Sequence, residues 1–246
     1  MHSIFETKHL IILAVCAIFI TAGCLATRKW SLEKLCRKLF YIGLVAELVK
    51  IFNYILTNEA QWGGILPKTD LPFHLCSIQL LLVTAVNMSK SKKLKDMILS
   101  FMMPGCLLGA AAALLLPTDS SLNGSATISL EYFGYHSVLV IFGLQLLMGK
   151  LELSVKSYVN CLKLLAMIFY FAIYINSILY DGVSDINFMY VASPPMEGLP
   201  YLTEEHGWLV YIVHYAALVL LCVTLCYCKP LIGALRAKLS KTKEAV

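Results

Sequence analysis

The chain has 246 residues, of which 59% are apolar and 14% are charged, and its formal net charge is +5. Soluble domains average about 45–50% apolar and about 25% charged residues. A soluble enzyme of this composition would expose a large apolar surface, which soluble monomers avoid. The composition therefore argues against a water-soluble enzyme, excludes intrinsic disorder and favours a bilayer as the solvent.

Seven apolar runs follow one another along the chain, and a helix of about 20 residues crosses a bilayer. The runs cover residues 10–27, 37–57, 71–88, 97–116, 132–149, 160–180 and 207–228. The third run is the weakest, because it begins at a Leu71-Pro72 pair, which a first helical turn tolerates. We predict an all-α fold, a polytopic transmembrane helix bundle with seven spans that forms one integral membrane domain over residues 1–246.

The charges between the runs alternate in sign. Basic residues follow the first, third, fifth and seventh runs, whereas carboxylates predominate in the other connections. Because Lys and Arg stay on the cytoplasmic side, the pattern predicts the N-terminus outside and the C-terminus inside, and we expect a bacterial plasma membrane protein. The basic residues are dispersed among apolar runs, so they predict no nucleic-acid partner.

Nine cysteines, an odd number, lie almost entirely within the apolar runs. This distribution is typical of small packing residues rather than of a disulfide framework. Cys226 and Cys228 are separated by one residue, which is too close for a zinc-binding pair. The sequence predicts no metal site and no cofactor.

The second run carries Glu47 and Lys50, which are three residues apart and therefore share a helix face. Asn53 extends this polar stripe. An ionisable residue inside a span costs about 3 kcal/mol on insertion scales and usually faces the bundle interior with a partner. Two interpretations follow: a polar site or ion path, or a self-neutralising pair that fixes helix packing.

The third and fifth runs each begin with a histidine, His74 and His136, and Cys76 follows His74 by two residues. Residues two apart point to different sides of a helix. If Cys76 is a nucleophile, its base therefore comes from another helix. The alternative is that Cys76 is a packing thiol.

Further polar residues lie at the same predicted depth: Asn176 in the sixth run, and Asn187 and Tyr190 in the long outer connection 181–206. Together with the histidines, they predict a pocket that opens outward between helices two, three, five and six.

The stretch Leu71-Pro72-Phe73-His74-Leu75-Cys76 resembles the Leu-Pro-x-His-Leu-Cys signature of the YwaF-like integral membrane proteins. Other pieces of the family pattern follow in order across roughly residues 40–225: Glu47 and Lys50, Pro117-Thr118-Asp119, His136, Asn176, Asn187-Phe188-Met189-Tyr190 and Trp208. The chain departs from the bacterial pattern at Ser77, where Asp is usual. It departs from the eukaryotic pattern at Phe73, where a cysteine precedes the histidine.

The YwaF-like family is similar to eukaryotic transmembrane protein 164, an acyltransferase that moves polyunsaturated acyl chains between phospholipids through a cysteine acyl-enzyme. The resemblance implies a lipid-directed acyltransferase or hydrolase near the outer leaflet, with membrane lipids as partners. In this hypothesis Cys76 is the nucleophile and His74 or His136 is the base. Asn187 or Tyr190 then donates to the oxyanion.

Two further hypotheses remain open at this point. In a transporter or ion carrier, Glu47 and Lys50 are the coupling groups and the histidines relay protons, although no inverted repeat of the kind that transporters often show is evident. In a non-catalytic membrane partner subunit, the polar groups only lock the bundle.

Overall fold

The computed structural model describes residues 5–56, 66–195, 201–203 and 205–244. Within these ranges the chain is almost wholly helical and contains no strand. The α-helices are α1 (Thr7–Thr27), α2 (Leu32–Leu56), α3 (Leu75–Met88), α4 (Lys92–Pro104), α5 (Ala110–Leu115), α6 (Asp119–Asn123), α7 (Ala126–Gln145), α8 (Val155–Leu179), α9 (Trp208–Cys226) and α10 (Cys228–Glu244).

Among the described residues, six helical segments are long and apolar enough to cross a membrane. They are α1, α2, α4 continued through α5 (Lys92–Leu115), α7 continued to Lys150 (Ala126–Lys150), α8 and α9. The all-α multi-pass architecture is therefore confirmed. The seventh apolar helix, α3, has 14 residues, or about 21 Å at 1.5 Å per residue. Seven spans and the orientation of the termini stay predictions.

The third run, 71–88, is helical only from Leu75. Leu71 is extended, with φ −61° and ψ 150°, because the ring of Pro72 disfavours the α conformation in the preceding residue. Pro72 therefore lies in a turn before the helix and not in its first turn. This shortening places His74 at the N-cap of α3.

Helices α4, α7 and α8, like α2, begin well before the apolar runs that predicted them. The hydroxyl oxygens of Ser91, Ser125 and Ser154 accept hydrogen bonds from backbone N–H groups in the first turns of α4, α7 and α8. These N-caps satisfy donors that a helix otherwise leaves free, so the polar segments before each apolar run join the helix.

One set of helix termini lies at an end of the bundle that we call the basic end (residues 24–38, 87–92, 145–158 and 222–229). Hydrogen bonds from side chains to backbone carbonyls connect these termini. These bonds join Gln145 to Cys24 (2.8 Å), Lys150 to Arg28 (2.8 Å), and Asn87 to Cys36 (3.3 Å). Tyr158 and Thr224 share a hydrogen bond of 2.9 Å there. The segments that sequence analysis found rich in Lys and Arg therefore meet at one end.

The opposite end, which we call the site end (residues 47–56, 66–77, 118–136, 180–195, 201–203 and 205–211), holds the other helix termini. There Lys8 donates to the Leu122 carbonyl at 2.5 Å, and Lys68 pairs with Asp181 at 2.7 Å. The helices therefore run up and down between two chemically different ends.

A π-helical turn, Gly105–Gly109, joins α4 to α5. Its glycines make the close packing possible, since a Cβ at Gly109 would collide with Leu75 of α3. A Cβ at Gly143 of α7 would lie 2.7 Å from the backbone nitrogen of Leu107 in the same turn. Small residues let membrane helices approach closely, and here they seat α3 and α7 against the π turn.

Candidate functional site

The ion pair predicted in α2 is formed at the site end. Lys50 Nζ lies 2.8 Å from Glu47 Oε2, and the two side chains are 19% and 20% exposed. Lys50 also donates to the Asp70 carbonyl at 3.2 Å, and the Tyr54 hydroxyl donates to the Asp70 carboxylate. The pair therefore ties α2 to the 3₁₀ turn before α3.

Asn53, the other predicted polar residue of α2, contacts the residue that precedes α7. Its side-chain oxygen accepts a hydrogen bond from the Ser125 hydroxyl at 3.4 Å. Ser125 is the N-cap residue of α7, so this contact joins the ends of two helices at the site end.

His74 lies at the N-cap of α3, outside the six candidate spans. Its ring packs between Phe188 and Tyr190, with centroid distances of 4.9 and 6.2 Å. Burial lowers the pKa of His74, although the Thr69 carbonyl and the Asp70 carboxylate oppose this shift. The imidazole is therefore neutral at neutral pH, which is the state of a general base.

Cys76 is half-buried in the first turn of α3. Its Sγ lies 3.9 Å from the Ser77 hydroxyl, and the Tyr135 hydroxyl donates to its carbonyl oxygen at 3.3 Å. The thiol also lies within electrostatic range of the Lys50 ammonium and the Tyr190 ring. A charged group and two phenols therefore lie in the neighbourhood of Cys76, the predicted nucleophile.

His136 is almost fully buried in α7, and its Nδ1 lies 2.7 Å from the Tyr132 carbonyl oxygen. Because a carbonyl oxygen only accepts, Nδ1 carries a proton, and in the neutral ring Nε2 therefore presents a lone pair. The ring centroid lies 4.2 Å from that of Tyr132 and 6.1 Å from that of Tyr135. Tyr135 therefore touches both His136 and the backbone of Cys76.

Neither histidine hydrogen-bonds to Cys76 within the described part of the chain. The lack of a hydrogen bond from His74 agrees with the expectation that a residue two positions before Cys76 does not face the thiol. The structure brings His74, Cys76 and His136 to the same end of the bundle, with Tyr190 and Tyr135 between them.

Asn176 in α8 forms hydrogen bonds with the connection that follows this helix. Its side-chain nitrogen donates to the Phe188 carbonyl at 3.0 Å, and its oxygen accepts from the Phe188 backbone N–H at 2.8 Å. The same nitrogen donates to the Ala172 carbonyl at 2.7 Å. Two of these three hydrogen bonds therefore hold Phe188, whose ring packs against His74.

The side chain of Asn187 forms hydrogen bonds within its own loop, residues 187–193. Its side-chain nitrogen donates to the carbonyl and hydroxyl oxygens of Ser193 at 2.9 and 2.8 Å, and its oxygen accepts from the Ala192 N–H at 3.1 Å. Unlike Tyr190, whose ring reaches His74, Asn187 contacts other residues of the loop.

The loop contains two consecutive left-handed residues, Met189 (φ 58°) and Tyr190 (φ 52°). Such a conformation in a residue other than glycine is strained by on the order of 1–3 kcal/mol and is found often at functional sites. Hydroxyls of α9 hold it, since Tyr215 donates to the Met189 carbonyl at 2.9 Å and Tyr211 donates to that of Tyr190. This left-handed conformation accompanies the contact of the Tyr190 ring with His74.

Sequence analysis missed Gln79, which is fully buried one turn beyond Cys76. Neither polar atom of its amide has a hydrogen-bond partner among the described residues. Its Nε2 would lie 3.0 Å from a Cβ at Gly105, so the glycine of the π turn makes room for the amide. The only signal in the sequence is a single glutamine within an apolar run.

Sequence analysis also missed the Lys68–Asp181 ion pair, which joins the turn before α3 to the end of α8 at 2.7 Å. The Lys68 ammonium holds the pKa of Asp181 well below its usual range, and hydrogen bonds from Ser184 and the Val183 N–H act in the same direction. The pair closes a second connection around the site end.

Among the described residues, no group of three or more His, Cys, Asp and Glu side chains is arranged to hold a metal ion. The titratable groups described at the site end include a thiol, imidazoles, phenols and the two ion pairs Glu47–Lys50 and Lys68–Asp181.

Comparison with protein families matches the TMEM164 family over residues 4–227. The match covers most of the chain, so this protein belongs to that family. Comparisons with curated proteins and with solved structures gave no match.

Proposed function

We propose that this TMEM164-family protein is a lipid-directed acyltransferase or hydrolase of the bacterial plasma membrane, with its site near the outer leaflet. One observation carries the proposal: Cys76, in the first turn of α3, lies at the same end of the bundle as two imidazoles and the strained Tyr190 loop. A thiol with an imidazole nearby is the arrangement that nucleophilic acyl transfer requires.

In the first step, an imidazole takes the thiol proton of Cys76 and the sulfur attacks the carbonyl carbon of a phospholipid ester. The bond between that carbon and the glycerol oxygen breaks, and the lysophospholipid leaves with the proton. In the second step, the hydroxyl of another lysophospholipid, or water, attacks the thioester. Its proton returns through the imidazole to the sulfur, which regenerates the thiol.

His74 and His136 are the two candidates for the base at this end of the bundle. His74 is a half-buried imidazole beside Tyr190, and burial lowers its pKa. His136 has its Nδ1 proton fixed on the Tyr132 carbonyl, so its Nε2 is free to accept a proton. A hydrogen bond that fixes one nitrogen of a histidine sets the tautomer at the other.

Two groups are suited to stabilise the oxyanion. The Tyr190 hydroxyl donates no hydrogen bond within the described residues, in contrast to the amide of Asn187. His74 gives α3 no side-chain cap, and the backbone N–H groups of Cys76 and Ser77 in the first turn lie beside the Cys76 sulfur. Donors of this kind stabilise the charge that develops in acyl transfer.

The test is acyl transfer by the full-length protein in proteoliposomes that contain a phospholipid labelled in one acyl chain. We expect labelled product, release of a lysophospholipid, and a transient acyl adduct on the Cys76 peptide by mass spectrometry. Cys76→Ala should abolish all three. Of His74→Gln and His136→Gln, the variant that removes the base should slow transfer about 100-fold or more.

The matched control is Cys24→Ala, since Cys24 is also half-buried but lies at the basic end. This variant should retain full activity. Equal transfer by the parent protein and Cys76→Ala would remove the thioester mechanism. Absence of transfer and hydrolysis by a folded parent protein across phospholipid classes would overturn the proposed function.

A further inference from the structure

A groove of about 430 Å³ opens at the basic end, away from Cys76 and the histidines. Its walls come from the π turn after α4, the end of α7 with the segment that follows it, and the end of α9. They include Leu108, Leu147, Leu153, Leu225, Cys226 and Lys229. The lining is almost entirely apolar, with an ammonium group at the point where α10 begins.

The groove lies at the level where a candidate span ends. Cys226 is the last residue of α9, and Lys229 is the second residue of α10. An apolar surface at this level faces acyl chains, whereas a lysine just beyond it lies at the depth of lipid phosphates, where Lys side chains extend to the interface.

The adjoining helix α10 has the pattern of a helix that lies in a membrane surface. Ile232, Leu235 and Leu239 are exposed and occupy one helix face by their spacing of three and four,. Lys229 and Arg236, which are seven residues apart, border this apolar face, because they lie three and four residues from Ile232,. An amphipathic helix with basic residues on its polar face binds anionic lipid surfaces.

The lysine at the groove has no directly paired carboxylate among the described residues, although Glu152 adjoins the lining residue Leu153 in the chain. Within the described part of the chain, no carboxylate forms an ion pair with Lys229. Another lysine of the basic end, Lys92, does form an ion pair, with Asp96 of its own helix. An apolar groove with a cation at its rim complements one acyl chain and the phosphate of a lipid.

We propose that this groove is a binding site for an anionic phospholipid of the leaflet at the basic end. One acyl chain lies along Leu108, Leu147 and Leu225, and the headgroup phosphate contacts Lys229. The site is separate from the acyl-transfer site, and its occupant is bound without being converted. The lipid thereby joins the π turn, the end of α7 and the start of α10.

The test is native mass spectrometry of the full-length protein in detergent, titrated with phosphatidylglycerol or with phosphatidylcholine of identical chains. We expect one tightly bound phosphatidylglycerol and weaker binding of phosphatidylcholine. Lys229→Gln should weaken phosphatidylglycerol binding about fivefold, since one lysine near an anionic membrane surface contributes roughly that factor. Lys38→Gln, at an exposed lysine of the same end, should have little effect.

A second pair of variants tests the acyl-chain part of the groove. Leu225→Trp should fill the groove and reduce binding of both lipids, whereas Leu221→Trp, on the same helix outside the groove and similarly exposed, should not. Equal binding of both lipids that neither Lys229→Gln nor Leu225→Trp changes would overturn the proposal. A dimer that Leu225→Trp dissociates while lipid binding persists would assign the groove to a second copy instead.

Discussion

At the scale of single residues, buried polar side chains in this bundle are satisfied mainly by backbone carbonyls. His9 donates through Nε2 to the Leu114 carbonyl at 2.9 Å, Ser137 to that of Phe133 at 2.7 Å, and Gln145 to that of Cys24 at 2.8 Å. These bonds remove polar groups from the apolar medium, where an unpaired group is costly.

Gln79 departs from this rule, and we expect Gln79→Met to stabilise the protein. An unsatisfied buried polar group costs about 1–3 kcal/mol, and Met has nearly the same length. Thermal unfolding in detergent should therefore show a higher Tm. Gln145→Met is the matched control and should lower the Tm, because it removes a hydrogen bond to the Cys24 carbonyl.

The opposite result at Gln79 would also be informative. If Gln79→Met lowers both the Tm and the rate of acyl transfer, the amide has a partner in the working protein, and our interpretation of it as a local defect is wrong.

The Glu47–Lys50 pair is a second residue-scale feature, and we interpret it as structural. Glu47→Gln leaves the four-fifths buried ammonium without its carboxylate, so it should destabilise the protein by about 3 kcal/mol, the lower end of the range for breaking a buried pair,. Glu33→Gln removes a pair with Arg37 that is 60% and 79% exposed and should cost at most about 1 kcal/mol,.

Unfolding midpoints of Glu47→Gln and Glu33→Gln decide this point. Equal stability of the two variants would contradict the structural interpretation. Ion flux in proteoliposomes that Glu47→Gln abolishes would instead support the transporter hypothesis.

At the scale of elements, the connection after α8 is held from both sides. Asn176 holds Phe188 from α8, and the hydroxyls of Tyr211 and Tyr215 hold the strained carbonyls from α9. The Trp208 indole adds a bond of 2.8 Å to the Val191 carbonyl. A loop fixed in this way keeps Tyr190 beside His74 without a helix of its own.

We therefore expect Asn176→Leu to loosen this loop. The variant loses two hydrogen bonds to Phe188 and should lower stability by about 1–3 kcal/mol. Hydrogen exchange of residues 187–193 should rise more than that of α8 itself. Ser177→Ala, which removes only a local bond to the Ile173 carbonyl, serves as control. Unchanged exchange in Asn176→Leu would show that the α9 tyrosines suffice.

The elements themselves were largely predictable, because apolar runs of about 20 residues have one stable form in a bilayer. The start of α3 was not, since Pro72 acts on the conformation of Leu71 rather than through hydropathy. The polarity of Asn176 and Asn187 was visible in the sequence, but their partners were not. Those partners depend on a left-handed turn at Met189 that no glycine signals.

At the scale of the whole molecule, the two ends of the bundle differ in charge and in chemistry. Lys8 bonds the Leu122 carbonyl, so the start of α1 lies at the site end, whereas α10 begins at the basic end. Termini at opposite ends require an odd number of crossings. Because α3 ends beside Cys36 at the basic end, we expect this short helix to cross the membrane as well, with local thinning of the bilayer.

This topology makes a prediction that thiol labelling checks. Positive residues stay in the cytoplasm, so the basic end should face inward. A membrane-impermeant maleimide should label Val183→Cys in intact cells, since Val183 is 93% exposed at the site end. Native Cys228, exposed at the basic end, should react only after permeabilisation, and peptide mass spectrometry distinguishes it from the other cysteines. Labelling of Cys228 in intact cells, with Val183→Cys protected, would reverse the orientation and place the thiol and imidazoles at the inner leaflet.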